Sequence, residues 1–155
     1  MKIKQYKIKT LVPEMNWKTD DDSITYNCNN RLGIKNVKCV ETNLKFLIDE
    51  VCFNYALNDD MIESISEAIS YLSRDYKLIS ISQARNNDII TYSDKYGEVE
   101  HFAKIYETNN TLKSTIIRSK WGRCGVFETD LYSVPKEYGN FIRIWGRKTD
   151  LDNMV

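Results

Sequence analysis

The second half of the chain is a succession of short segments rich in β-branched and aromatic residues, separated by Asn, Asp and Gly. Segments of this length and composition are typical of strands joined by turns. Short connections join neighbouring strands in opposite directions, so the succession predicts an antiparallel sheet. The segments are KLISIS, NDIITYS, HFAKIYE, STIIRSKW, GVFET and FIRIWGRK.

Residues 61–76 carry the clearest helical periodicity in the chain. Apolar side chains recur there every three or four residues, which places them along one face of a helix. Asp59 and Asp60 precede this stretch as candidate N-caps. Helices followed by strands predict an α+β domain with the helices packed on one face of the antiparallel sheet. The stripe consists of Ile62, Ile65, Ile69, Leu72 and Tyr76.

The segment TNLKFLIDEVCFNYALNDD, residues 42–60, is compatible with two interpretations. In the first, Thr42 or Asn43 caps one long helix, and Cys52 lies in its middle. In the second, the segment starts extended, Asp49 is the N-cap, and Cys52 lies in the first turn of a helix. Only the second places the thiol at the positive end of the helix dipole, which stabilises a thiolate.

The charges of the chain balance, with 22 Lys and Arg against 22 Asp and Glu. A neutral chain has no overall field to gather nucleic acid or an anionic membrane, so neither is predicted as a partner. An apolar content of 42% is too high for a disordered chain. We expect a single domain over 1–155, with an N-terminal arm and loop at 1–40, a core at 41–147 and a tail at 148–155.

No apolar run approaches the ~20 residues that a membrane-spanning helix needs. The opening MKIKQYKIKT is basic, but the apolar segment of a secretion signal does not follow it, which predicts a cytoplasmic location. There, Cys28, Cys39, Cys52 and Cys124 are expected as free thiols. Because the chain has no Cys-x-x-Cys pair and His101 is its only histidine, we predict no metal site and no cofactor.

Three stretches resemble motifs of the compact papain-like cysteine hydrolases of the NlpC type. CFNYALN at 52–58 resembles the Cys-x-x-Tyr-Ala-Leu-Gly motif around the nucleophile. NDIITYSDKYGEVEHFAKI at 87–105 resembles the Gly-Asp-Ile-Val-x-Tyr segment and the strand that carries the histidine. SKWGRCGVFETDLYSVPKEYG at 119–139 is similar to the Ser-Lys-Trp-Gly and Val-Pro-x-x-Tyr-Gly block. The resemblance covers residues 50–147 and implies an α+β, papain-like (NlpC-type) domain.

The chain departs from this pattern at three positions. Asn58 and Asn87 replace glycines of the motifs, and Thr129 stands where a histidine often follows the Trp-Gly pair. His101 is therefore the only imidazole in the chain. Related proteins share a domain type more often than an activity. These departures therefore count against the hydrolase activity more than against the domain type.

The resemblance also implies roles for individual residues. Cys52 corresponds to the nucleophile, His101 to the base that accepts its proton, and Ser119 to the polar residue that orients the imidazole. Cys28, in TYNCNNRLG, is a rival nucleophile because its Asn-Cys pair also resembles the start of the motif. The groove that binds the substrate would be lined by Lys120, Trp121 and Gly122.

Each of these residues also has an explanation that requires no catalytic role. Cys52, between Val51 and Phe53, fits a small buried apolar side chain. His101 fits a surface residue of a strand, and the Ser-Lys-Trp-Gly motif fits a strand end followed by a turn. A basic and aromatic patch able to stack on single-stranded nucleic acid is a further alternative. That patch would consist of Arg118, Lys120, Trp121 and Arg123.

Two functions of different classes follow from the sequence. The first is a cysteine-dependent hydrolase of an amide, isopeptide or thioester-type bond in a peptide-like or protein substrate. The second is an inactive domain of the same type that binds or inhibits another protein, as a phage or mobile-element product would. An enzyme requires Cys52 and His101 to meet in an open cleft, whereas a binding protein requires an exposed apolar or aromatic surface.

Overall fold

All six predicted strand segments contain a strand. The computed structural model of the chain describes residue 1 and residues 37–41, 51–121 and 125–152. The strands pair laterally because an isolated strand leaves its N–H and C=O groups unsatisfied. They are β1 (Val37–Glu41), β2 (Tyr76–Ile79), β3 (Ile89–Ser93), β4 (Val99–Glu107), β5 (Ile116–Lys120), β6 (Val126–Asp130) and β7 (Phe141–Arg147).

The seven strands form one sheet in the order β1-β6-β5-β4-β3-β7-β2, and its paired neighbours run antiparallel. In the β3–β4 hairpin, Tyr92 lies opposite His101, and the register shifts between Tyr92 and Ser93. The sequence did not predict β1, which pairs with β6 at one edge. Residues of the predicted N-terminal arm therefore belong to the sheet.

The prediction of an α+β, papain-like (NlpC-type) domain is wrong. The described residues are mainly β, with three short helices: α1 (Cys52–Leu57), α2 (Ile65–Asp75) and α3 (Lys148–Asp152). The longest of them has 11 residues. Strands fill most of the chain from Tyr76 onwards. The helix before them, Ile65–Asp75, is shorter than the stretch 61–76 that has helical periodicity. None of the helices in the described ranges is long and apolar enough to cross a bilayer.

Helix α2 is shorter than the predicted helix at 61–76. It begins after Ser64, whose Oγ accepts the backbone N–H of Glu67 at 3.1 Å. A side-chain acceptor at this position satisfies one of the donors that every helix start leaves open. Of the predicted apolar stripe, Leu72 is fully buried, whereas Ile65 is 36% exposed. The stripe therefore packs at both Ile62 and Leu72, which are buried, and reaches solvent at Ile65.

The predicted tail at 148–155 begins with α3. Lys148 Nζ donates to the carbonyl oxygens of Ser73 at 3.2 Å and Arg74 at 2.9 Å, both in the last turn of α2. A cation is favourable there because the last carbonyls of a helix carry partial negative charge. This contact ties the end of the sheet to α2.

Side chains of the sheet alternate between two faces, each of which carries its own apolar cluster. One face, here called the histidine face, carries His101 with Ile90, Tyr92, Ala103 and Ile117. The other, here called the helix face, carries Ile89 and Phe102, against which α1 and α2 pack. Consecutive residues His101 and Phe102 therefore belong to different environments.

Gly139 holds a short 3-10 turn, Lys136–Tyr138, close to the sheet. Its φ of 90° lies in the region that side-chain-bearing residues avoid, and a Cβ on Gly139 would collide with the backbone of Ser93. The close approach brings the ring of Tyr138 onto His101. The glycine thus helps to close the histidine face.

The two asparagines that replace glycines of the resembling motifs have positive φ angles. Asn58 ends α1 with φ 52°, and Asn87 has φ 72° in the turn before β3. After glycine, asparagine is the residue that adopts this left-handed conformation most readily. Both substitutions therefore preserve the backbone shape that glycine would give.

Candidate functional site

The first turn of α1 is fixed by a buried amide, Asn54. Its Oδ1 accepts the backbone N–H of Val51 at 3.1 Å, and its Nδ2 donates to the carbonyl oxygens of Asp59 at 2.9 Å and Ile62 at 2.8 Å. These bonds tie the start of the helix to the loop that follows it. Because Cys52 stands between Val51 and Asn54, they also fix the position of the thiol.

Of the two interpretations of residues 42–60, the one with Cys52 in the first turn of a helix is confirmed. The helix begins at Cys52, and Val51 is its N-cap. The prediction of Asp49 as the cap is wrong, because Val51 occupies that position, and residues 42–50 lie outside the described part of the chain.

Cys52 is partly buried against the helix face and lines an open groove of about 620 Å³. Burial raises the pKa of the Cys52 thiol. The backbone N–H groups of Phe102 and Phe53 and the charge of Lys120 favour the thiolate, but they offset the burial only in part. The thiol is therefore protonated at neutral pH, when it is a weak nucleophile.

His101 is fully buried on the histidine face, among aromatic rings. Its ring stacks on Tyr138, with centroids 4.0 Å apart and planes 6° apart, and lies 5.9 Å from the ring of Tyr92. Within the described part of the chain, neither ring nitrogen has a hydrogen-bond partner. The Tyr92 hydroxyl donates instead to the carbonyl oxygen of Leu131 at 2.7 Å. Burial lowers the pKa of His101 to about 3, so the imidazole is neutral.

Cys52 and His101 are not brought together. Cys52 packs with Phe102 on the helix face, whereas the His101 side chain projects to the histidine face. Because both His101 nitrogens are unbonded, neither accepts a proton from the Cys52 thiol in this arrangement. The expected thiol–imidazole contact is absent from the described structure.

The other predicted site residues that the structure describes, Ser119, Lys120 and Trp121, are not among the residues that line the Cys52 groove. Ser119 is fully buried, and its Oγ accepts the Trp121 Nε1–H at 3.0 Å, so it does not orient the imidazole. Trp121 stacks on Phe127 with ring centroids 4.2 Å apart. Lys120 is fully buried, and its charge acts on Cys52. Gly122 and the rival nucleophile Cys28 lie outside the described residues.

The basic and aromatic patch considered for nucleic acid has no exposed aromatic platform. Trp121, its only ring, is 1% exposed. The Arg118 guanidinium makes an ion pair with Glu128 at 3.1 Å and stacks over the ring of Tyr106 at 3.7 Å. Arg123 lies outside the described residues. Base stacking on Trp121 would require the core beneath it to open.

A carboxylate cluster that the sequence motifs did not predict lies at the β3–β4 turn. One oxygen each of Asp94, Glu98 and Glu100 lies within 4.8 Å of the others, a spacing at which oxygen ligands can hold a hard cation. Asp94 Oδ1 already accepts the backbone N–H groups of Tyr96 and Glu98 at 2.8 and 2.9 Å. Three acids within seven residues, flanking a Gly, were the available signal.

The chain matches no protein-family model, and no curated protein or solved structure shows significant similarity to it. The resemblance to NlpC-type hydrolases therefore stays a prediction from the residues. What the structure defines is a mainly β protein with a buried histidine on one face of its sheet and a half-buried thiol at a groove on the other.

Proposed function

We propose that the chain is a binding protein that acts on another protein by contact, and that it does not use Cys52 and His101 as a catalytic pair. The observation that carries the proposal is that both nitrogens of the only histidine are buried and have no hydrogen-bond partner among the described residues. A cysteine hydrolase needs a base beside its thiol that later protonates the leaving group. No imidazole serves Cys52 in this way.

The ionisation of the two groups supports the same proposal. Catalytic thiol–imidazole pairs lower the pKa of the thiol and raise the pKa of the imidazole. Here burial raises the pKa of Cys52 and lowers that of His101 to about 3. Both changes favour the neutral forms and oppose an ion pair.

Exposed apolar and aromatic side chains give the proposal positive support. Met61, before α2, is 81% exposed, and Tyr96, at the tip of the β3–β4 turn, is 80% exposed. Both lie near open grooves beside α2, one of which contains Met61 itself. Exposed apolar and aromatic side chains beside surface grooves are typical of sites that contact another protein.

Iodoacetamide labelling of the native protein across a range of pH, with each cysteine assigned by mass spectrometry, tests the proposal. We expect Cys52 to label slowly, with an apparent pKa above the ~8.5 of a free thiol, and equally in a His101→Phe variant that keeps a ring against Tyr138. Rapid labelling of Cys52 near neutral pH that slows in His101→Phe would overturn the proposal. The same behaviour at Cys28 would overturn it in favour of a Cys28–His101 hydrolase.

One observation favours a second candidate, a hydrolase in which Cys52 attacks without His101. The backbone N–H groups of Phe102 in the sheet and Phe53 in α1, together with the charge of Lys120, all act on the Cys52 sulfur. Groups of this kind would stabilise a thiolate if a bound substrate filled the Cys52 groove and changed the polarity around the sulfur. A Lys120→Met variant that slows Cys52 labelling in the presence of a peptide thioester, but not without it, would support this candidate.

A further inference from the structure

We propose that two grooves beside α2 bind a cationic amphipathic segment of a partner protein. This inference rests on the proposed binding function and names the surface and the chemistry of its partner. The occupant is a peptide segment that presents apolar side chains to the groove floors and Lys or Arg side chains to the groove rims.

The two grooves meet at Ile65. The first is the groove of about 620 Å³ at Cys52, whose lining includes Asp60, Glu63 and Ile65. The second has a volume of about 600 Å³, lies between α2 and the β3–β4 hairpin, and also includes Ile65. Ile65 is 36% exposed, so it forms an apolar ridge that a partner can reach from either side. Through Ile65 the two grooves form one concave surface, on which a peptide segment can dock with its side chains in both grooves.

Both grooves combine apolar floors with acidic rims. Ile62 and Val51 contribute to the first floor, and Ile69 and Val99 contribute to the second. Burial of a partner's apolar side chains on these floors would supply the non-directional part of the affinity. The rims would then select the partner by charge.

The charged residues described along the two grooves have one sign. The first groove is lined by Asp60 and Glu63 and the second by Glu98 and Glu100, and among the described residues no Lys or Arg lines either groove. In a chain with 22 acidic and 22 basic side chains, this local excess is a property of the surface and not of the composition.

The crowding of acids at the second groove points to a cation from outside. Oxygens of Glu98 and Glu100 lie within 4.8 Å of each other and of an Asp94 oxygen. Carboxylates at this distance repel one another, and a Lys or Arg side chain placed between them would turn that repulsion into attraction. The same field repels nucleic acid and anionic bilayers, which leaves a basic peptide as the complementary partner.

Three fluorescein-labelled peptides of equal length test the proposal by anisotropy with the full chain. One alternates Leu and Lys, one alternates Ser and Lys, and one alternates Leu and Glu. We expect the Leu/Lys peptide to bind best, the Ser/Lys peptide about tenfold more weakly because it cannot fill the floors, and the Leu/Glu peptide not to bind. Salt should weaken Leu/Lys binding because the rims are exposed.

Single charge reversals near the two ends of β4, at Glu98 just before the strand and at its last residue Glu107, locate the site. Glu98→Lys, at the groove, should weaken Leu/Lys binding about tenfold. Glu107→Lys, an exposed reversal at the other end of β4, is the matched control and should leave it within about twofold. Equal weakening by both variants, an unchanged affinity in Glu98→Lys, or no binding of the Leu/Lys peptide would each overturn the proposal.

The outcome also separates this inference from the function on which it rests. Slow Cys52 labelling together with peptide binding that ignores Glu98 would remove the groove site and leave a binding protein with another surface. Rapid, His101-dependent labelling would remove the binding function whatever the peptides do.

Discussion

The two faces of the sheet treat their polar groups in opposite ways. On the histidine face, His101 is enclosed by Tyr92 and Tyr138, and its nitrogens make no hydrogen bond to any residue that the structure describes. On the helix face, Asn54 uses its amide on three backbone groups, and Cys52 opens on a groove. The chain contains both halves of a thiol–imidazole pair but places them on opposite faces of the sheet. The function of a reactive residue therefore depends on its access and on its partners.

The helix face should depend most on its aromatic packing. Phe102 is fully buried and meets Phe53 edge to face, with ring centroids 6.1 Å apart. Phe102→Ala should therefore lower the free energy of unfolding by about 3–5 kcal/mol, measured by urea denaturation. Tyr96→Ala, at an exposed position, is the control and should change it by less than about 0.5 kcal/mol. Similar losses in the two variants would contradict the assignment of Phe102 to a packed core.

The histidine face should be the acid-sensitive one. The native pKa of His101 is about 3, against an unfolded value of ~6.5, so the unfolded chain binds the extra proton between these values. Stability should thus be complete above pH ~6.5 and fall towards pH ~3, by on the order of 4 kcal/mol from this group. In His101→Phe this contribution disappears.

Unfolding free energies of the wild type and His101→Phe across a pH series isolate this contribution, because every other titrating group is shared. The difference between the two proteins should be constant above pH ~6.5 and should shift in favour of the variant as the pH falls. A difference that stays constant down to pH ~3 would mean that the imidazole is not buried in its neutral form.

Removing the buried amide of Asn54, which anchors α1, should cause the next largest loss in the free energy of unfolding. Asn54→Ala leaves the N–H of Val51 and the carbonyl oxygens of Asp59 and Ile62 without their partner, and we expect a loss of about 2–3 kcal/mol. Cys52 should also label faster, because the first turn loosens. Ser70→Ala, an exposed hydroxyl on α2, serves as the control. Unchanged Cys52 labelling in Asn54→Ala would show that other contacts position the thiol.

The smallest effect is expected at Asp88, which titrates in the opposite sense to His101. Burial raises the pKa of Asp88 to about 6, although its carboxylate accepts the Arg85 N–H at 2.8 Å. Since the native pKa exceeds the unfolded value of ~3.9, this group favours folding as the pH falls from ~6 to ~4. Asp88→Asn should raise the melting temperature slightly at pH 7 and lose that advantage below pH ~4. A variant that is less stable at pH 7 would show that the charge is needed.

The strands could be predicted because each has a local signal. Runs such as NDIITYS and FIRIWGRK hold β-branched and aromatic residues between turn formers, and both are strands of the sheet. The strand VKCVE at 37–41 lacks such a signal, since its place depends on pairing with β6 far along the chain. The helix at 61–76 was too long because Ser64 outcompetes the earlier aspartates as a cap.

The site could be predicted only in part. A first-turn Cys52 was one of two interpretations, and it is confirmed. Whether His101 or Phe102 faces that thiol depends on the register of the strand, and a shift of one residue exchanges the faces. The register of β4 shifts beside Tyr92, between the pairs Tyr92–His101 and Ser93–Val99, and no pattern in the sequence reveals such a bulge.

An NMR pH titration of the imidazole Hε1 signal tests the separation of the two faces most directly, since His101 is the only histidine and its signal needs no assignment. We predict no titration step between pH 8 and pH 5 and the same curve in Cys52→Ser, because a buried, neutral ring has its pKa far below 6.5. A pKa at or above 6.5 that moves when Cys52 is replaced would reveal a thiolate–imidazolium pair and contradict the account.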